Sequence, residues 1–295
     1  MSLQMKLEQT LERIEGEVGV TVEHLQTGEH ASINGDRLYQ TASTIKVPIL
    51  CALYKLAEQG LIGLEERVRI ENEDFVPGSG VLQEMQPGLE VTVKDLATLM
   101  IVVSDNLATD KLLTMIGMEK VEGFMRSQSL QSTFVRQSIW ELLCLSVGMS
   151  PGARQSADYI ELERRLTYEE VDQSSKVYQR DVKDNNLMSP NDMAHLLRKI
   201  TDHEGLAADS CNQILDIMSR QHFQNRIGGE LPPQVKVASK SGSLFQVAND
   251  VGIVYLPDGS YTISVFTTGI QPKEQDNAIA SISKVVFDHF TNSQP

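Results

Sequence analysis

Ser43 and Lys46 stand three residues apart in the run Ser43-Thr44-Ile45-Lys46, where Ile45, Ile49, Leu53 and Leu56 recur at helical spacing up to a stop at Gly60. Residues three apart share a helix face, so the lysine amine can reach the serine oxygen. A serine hydroxyl is inert until a neighbouring base takes its proton, and a lysine in a dry site has its pKa lowered enough to serve. The start of a helix adds backbone N–H groups for the oxyanion that attack on a carbonyl creates. The chemistry these residues suggest is acyl transfer through a serine ester. Taken alone, such a serine is ordinarily a helix cap. A second Ser-x-x-Lys at Ser281 and Lys284 falls in the middle of a helical pattern and reads as a solvated face.

Two further polar clusters have the same ambiguity. Ser104-Asp105-Asn106 lies between a helix and another that begins near Leu107, a position where short polar residues commonly cap. Lys240-Ser241-Gly242 reads as the exit of a strand over residues 234–239. Each is modest alone; their order along the chain and the elements that carry them are what give the set meaning.

Strand-like text lies at both chain ends. Residues 18–25 (VGVTVEHL) partly alternate, and Thr27-Gly28 marks a turn before a second short strand. Near the C-terminus residues 234–239, 250–256 and 261–268 form an antiparallel meander with a Pro257-Asp258-Gly259 turn. A last helix over residues 275–290 carries Ile279, Ile282, Val286 and Phe290. The middle is helical: Thr92-x-x-Asp95 forms a capping box, and Ser189-Pro190 with Asp192 opens another helix. The expected fold class is α+β. An antiparallel sheet flanked by helices is built from residues 1–35 and 205–295, with an all-helical lobe over 36–204. Residues 127–187 are mostly polar and are interrupted at 148–153. Thr167-x-x-Glu170 offers a cap for a short helix there, and the remainder reads as a long excursion.

Composition narrows the partners. The chain has 295 residues, 26 basic against 40 acidic, for a net charge of −14, which repels phosphate backbones and anionic lipid surfaces, so no nucleic acid is expected. No apolar run approaches the ~20 residues a membrane helix needs. Cys51, Cys144 and Cys211 are odd in number and widely spaced, which suggests buried thiols rather than a disulfide framework or a metal site; Cys51 and Cys144 could pair only if the fold joined them. Neither a metal nor a cofactor is called for. Met1-Ser2-Leu3 reads as a vector leader. The amphipathic Leu7, Leu11 and Ile14 that follow are unlike a signal core, so the sequence as it stands reads as cytoplasmic; removal of a signal peptide would make it periplasmic or extracellular.

Ser-x-x-Lys, Ser-Asp-Asn and Lys-Thr/Ser-Gly in this order resemble the motif set of class A β-lactamases and penicillin-binding proteins. The first two stand at class A spacing. The likeness extends to residues 42–49 (ASTIKVPI), 96–108 (LATLMIVVSDNLA), the helix start at Ser189 and Asn249-Asp250. It covers most of the chain apart from about 137–187. It implies the β-lactamase/transpeptidase-like fold, with Ser43 as acylated nucleophile, Lys46 as base and Ser104 as proton relay to the leaving nitrogen. By the same resemblance Asn106 binds a substrate side-chain amide. Lys240 and Ser241 form a carboxylate-binding edge, Gly242 belongs to the same substrate-binding run, and the N–H groups of Ser43 and Ser243 form an oxyanion hole. The substrate so implied is a small β-lactam or a D-Ala-D-Ala-like peptide.

One family feature is missing. Class A enzymes carry a Glu-x-x-x-Asn loop whose glutamate activates the deacylating water, and none of Glu141, Glu161, Glu163, Glu169 or Glu170 has an asparagine four residues on. Asp181-x-x-x-Asn185 is the nearest echo, and the excursion stands where the loop belongs. Three readings stay open: a β-lactamase-type hydrolase with another base or a slow water, a peptidase or esterase with slow β-lactam release, and a sensor module that stays acylated.

Overall fold

The computed structural model describes residues 1–152 and 154–292. In chain order it contains α1 (Leu3–Leu11), β1 (Glu17–His24), β2 (His30–Ile33), β3 (Tyr39–Gln40), α2 (Lys46–Glu58) and β4 (Arg67–Arg69). There follow β5 (Glu90–Thr92), α3 (Val93–Val102), α4 (Asn106–Ile116), α5 (Met118–Ser127), β6 (Thr133–Phe134), α6 (Ile139–Ser146) and α7 (Ser156–Thr167). The chain ends with β7 (Leu187–Met188), α8 (Pro190–Thr201), α9 (Ala208–Ser219), β8 (Val237–Leu244), β9 (Val247–Val254), β10 (Tyr261–Thr268) and α10 (Gln275–Asn292). The fold class is mixed α+β, as the sequence suggests.

Contacts divide the chain into two compact units: Met1–Ile45, Gln128–Thr133 and Leu187–Pro295 form one, Lys46–Ser127 and Phe134–Asn186 the other. The first holds a five-stranded antiparallel sheet in the order β2-β1-β10-β9-β8, the meander expected at the C-terminus joined to the N-terminal hairpin. Alternation explains its two faces. Val18, Val20 and Val22 of β1, with Ile263 and Val265 of β10, point to one side and pack with Leu7 of α1 and Ile279 of α10. The other side offers hydroxyls: Thr21 donates to Asn191 of α8 and Ser264 to the Pro190 carbonyl. Helix α8 opens as expected, with Ser189 as N-cap and Pro190 in the first turn. It packs on β1 and β10, which is why it belongs to the sheet unit and not to the helical stretch expected over 36–204.

Ser2 accepts a hydrogen bond from Met5 N to cap α1, and Leu3 is buried in the core.

The second unit centres on α2, where nearly every residue from Lys46 to Leu56 is buried. A helix apolar all round sits inside a bundle; α3, α4 and α5 pack around it. The capping box at Thr92 and Asp95 starts α3 as expected. The excursion is more ordered than its composition suggests. Two helices, α6 and α7, bury Ile139, Trp140, Cys144 and Leu162 in a small core of their own with Val76 and Val147. Thr167 does not open a helix: it ends α7, where its hydroxyl donates to the Glu163 carbonyl. Ala153, at the end of the interruption expected from Gly148, lies outside the described residues. None of the three cysteines is in a disulfide; all are buried.

Central packing sets an expected outcome. Ile263→Ala removes a fully buried side chain from β10 and should cost about 2–5 kcal/mol in urea denaturation. Leu61→Ala, at a position 65% exposed, should stay within about 0.5 kcal/mol. Equal losses at both positions would show that the sheet core is not where stability resides.

Candidate active site

In the sheet unit Ser43 lies in the 3-10 turn Ala42–Ile45, which leads straight into α2. Ala42 has a φ of +44°, a region costly for a residue with a Cβ, so the turn must be held by its surroundings. Asn249 of β9 supplies that hold: its Nδ2 donates to the carbonyls of Gln40 (2.8 Å) and Thr41 (2.9 Å). Thr44 closes the turn on the Thr41 carbonyl through both its amide and its hydroxyl.

Strand β8 passes directly beside this turn. A Cβ at Gly242 would lie 2.7 Å from Ser43 N and 2.9 Å from both Thr41 O and Thr44 N, a spacing real side chains do not adopt. Only glycine lets the strand come so close. The Lys240-Ser241-Gly242 run is therefore inside β8, not at a strand exit: ladder pairing with Val251, Asp250 and Asn249 carries the strand on to Leu244.

Lys240 is fully buried, its Nζ donating to the Ser241 carbonyl. Asp250 lies close enough for Lys240 to act on its charge, and burial pushes that carboxyl up to about 6 although Arg226 and Lys240 oppose the shift. The amide and hydroxyl of Ser241 both donate to Gln221 Oε1 (2.7 and 3.0 Å). Ser243 is exposed, and its hydroxyl oxygen accepts from Arg226 Nη2 at 2.6 Å.

In the helical unit Lys46 is fully buried. Its Nζ donates to the Ser104 carbonyl (2.7 Å), Ser104 Oγ (3.1 Å) and Asn106 Oδ1 (3.0 Å). Desolvation lowers its pKa to about 7, with the charges of Asp105 and Asp110 acting the other way. The Lys46 amine is thus held against Ser104 Oγ in an environment that disfavours its charge.

The Ser104-Asp105-Asn106 loop is built for position. Ser104 has a φ of +56°. Asp105 caps α4 through Ala108 N and accepts from Val81 N (2.7 Å) and Leu82 N (2.9 Å). At Gly80, with φ +117°, any Cβ would strike Asp105 Oδ2. Asn106 donates from Nδ2 to the Pro77 carbonyl and from its backbone to Ser79. Asp110, one turn further along α4, is buried and accepts from Ile139 N, Trp140 N and Arg154 Nη2. Burial raises its pKa. It thereby ties the excursion to the loop's own helix.

A model of the Beta-lactamase enzyme family matches residues 2–290. The chain belongs to that family. Among relatives of this β-lactamase-family protein, the β-lactamase VEB-1 of Pseudomonas aeruginosa is 23% identical, covering 99% of this chain and 91% of that one. The β-lactamase regulatory protein BlaB of Streptomyces cacaoi is 24% identical over 90% of this chain and 88% of its own. Among solved structures, a β-lactamase from Sphaerobacter thermophilus superposes with a TM-score of 0.80 at 26% identity, covering 100% of this chain and 98% of the other. PBP-A does so with a TM-score of 0.80 at 24% identity, covering 98% and 96%.

Of the six excursion carboxylates named from the sequence, four have local partners and the other two are exposed. Glu141 accepts from Ser138 N and completes the cap of α6. Glu161 is held down to about 2 by its hydrogen bonds from Arg164 and Arg165, and Glu170 pairs with Arg164. Glu163 and Glu169 are exposed; Asp181 accepts from Lys183 N. Asn185 is structural, donating to the Lys176 and Gln179 carbonyls. Ser281 and Lys284 lie mid-way along α10, the serine donating to the Ala278 carbonyl and the lysine paired with Asp288.

Four groups were not singled out from the sequence: Asp110, Arg154, Gln221 and Arg226. Asp110 had a signal, an acid four residues after Asn106 among Leu107, Leu112 and Leu113. The other three have none, since their partners lie far off in the chain.

Lys46 gives the site a pH signature in stability. Its folded pKa, about 7, lies below its ordinary 10.5, so between these values the unfolded chain binds more protons and stability rises with pH. Lys46→Met should raise the melting temperature at pH 7 and remove that part of the slope. Thermal melts across this window check it; identical slopes in both proteins would contradict the burial of the amine.

Proposed function

We propose that this protein opens a β-lactam or a related amide by forming an acyl-enzyme on Ser43, and that it releases the acyl group slowly. The observation that carries the reading is the buried Lys46 amine, lowered to about 7, three residues after Ser43 and donating to Ser104 Oγ. The neutral amine takes the Ser43 hydroxyl proton as Oγ attacks the carbonyl carbon. The N–H groups of Ser43 and Ser243 receive the oxyanion. When the C–N bond breaks, the proton passes from Lys46 through Ser104 to the leaving nitrogen, which leaves an ester on Ser43. Lys240 and Ser241 orient the substrate carboxylate, and Asn106 its side-chain amide.

Release needs a water and a base. The excursion carboxylates are each capped, ion-paired or exposed, which supports a persistent ester. A structure of a PBP-A variant is described as an acyl-enzyme complex with penicillin G. BlaB, a regulatory protein by name, favours a second reading in which the adduct itself is the signal.

Nitrocefin turnover combined with intact-protein mass spectrometry tests both. Acylation should add the whole β-lactam mass to Ser43, and Ser43→Ala should cost on the order of 10⁶ in rate, while Ser281→Ala changes little. The acylation rate should rise with pH through about 7 to a plateau as Lys46 becomes neutral; a rise centred near 10 would mean that the amine keeps its ordinary pKa, and an unchanged profile in Lys46→Met would remove Lys46 as the base. Glu141→Gln should leave the lifetime of the adduct unchanged. A Glu141→Gln protein that acylates normally but traps the adduct would make this glutamate the deacylation base and the protein a fast β-lactamase.

A further inference from the structure

Within the helical unit, residues 72–87 and the start of α7 enclose a cavity of about 300 Å³. The apolar part of its wall is Phe75, Met85, Pro87, Tyr159 and Ile160, beside polar groups such as Asn72 and Gln83. Phe75 and Tyr159 meet edge to face with ring centroids 6.4 Å apart. Met85 is 44% and Ile160 63% exposed, so two of the most exposed large apolar side chains of the unit border one hollow. Large apolar groups left facing water around a concavity mark a binding site more often than chance.

The cationic group in the lining is Arg154. Its Nη2 holds Asp110 at 2.5 Å, and its guanidinium carbon lies 5.7 Å from the centre of the Trp140 ring. The pair is unequally placed: the Asp110 side chain is 1% exposed and that of Arg154 23%. The carboxylate is sealed beneath while the guanidinium reaches the cavity. An arginine carries five N–H donors in a planar fork, so one bond to Asp110 leaves donors for a second planar anion.

We propose that this cavity binds a small amphipathic carboxylic acid, its carboxylate on Arg154 and an apolar body of roughly a dozen heavy atoms against Phe75, Met85, Tyr159 and Ile160. None of its lining residues belongs to the acylation set. Residues 78–83, which lead into the lining at Gln83, are held by Asp105, which accepts from Val81 N and Leu82 N, and by Gln83 Nε2, which donates to the Gly78 and Gly80 carbonyls.

Trp140 is the single tryptophan of the chain and lies against Arg154, so its emission reports on the site. The probe is 4-phenylbutyrate, compared with the uncharged 4-phenylbutyramide, by Trp140 fluorescence and calorimetry on the full chain. Expected is saturable one-to-one binding of the acid, with the amide at least about tenfold weaker, since a charge-assisted bond is lost. Ile160→Asp should weaken the acid by a similar factor with an unchanged melting temperature, because that side chain is mostly in water. Arg154→Gln should abolish the preference for acid over amide. Ser43→Ala should bind as the parent does. Equal affinity for acid and amide, full binding by Ile160→Asp, loss of binding in Ser43→Ala, or no saturable signal would each overturn the proposal.

Discussion

The dry environment of the Lys46 amine is the constraint around which the helical unit is arranged. An ammonium taken out of water must be given acceptors or lose its proton. Here it meets both fates at once. Three oxygens from Ser104 and Asn106 receive it, and desolvation still brings its pKa down to about 7. Those oxygens are useful only if they stay in place. That explains why Ser104 holds a left-handed backbone, why Asp105 is bound by two amides of a neighbouring segment, and why Gly80 has no Cβ. Charge burial, loop strain and glycine placement are one problem with one solution.

The sheet unit solves a similar problem with backbone alone. The turn that carries Ser43 includes a strained Ala42, and Asn249 and Gly242 fix it from adjacent strands. Both residues belong to the sheet whose C-terminal meander is legible in the sequence. The position of the turn therefore follows from a pattern of valines and isoleucines far from it.

Legibility in the sequence tracked the range of the forces involved. Helix starts at Thr92 and Ser189 depend on residues within four positions, so both are legible locally and both are present. Strand β10 matched its expected limits because alternation and a turn bound it closely. Strand β8 ran past its expected end because ladder pairing with β9, not local propensity, sets its length. The order of the excursion is hidden for the same reason: α6 and α7 are stabilised by contacts with each other and by Asp110, which lies outside them. The three motifs were found because their residue types are rare in that order. Their supports, Gln221, Arg226 and Arg154, are ordinary polar residues made important only by folding.

The Gln40–Asn249 hydrogen bond joins groups 209 positions apart. On a ribosome the serine turn emerges well before the asparagine and glycine that give it shape. The turn is thus fixed late, as expected for contacts of high sequence separation. A nascent chain stopped short of β8 and β9 would carry the whole Ser-x-x-Lys motif without the contacts that hold its turn.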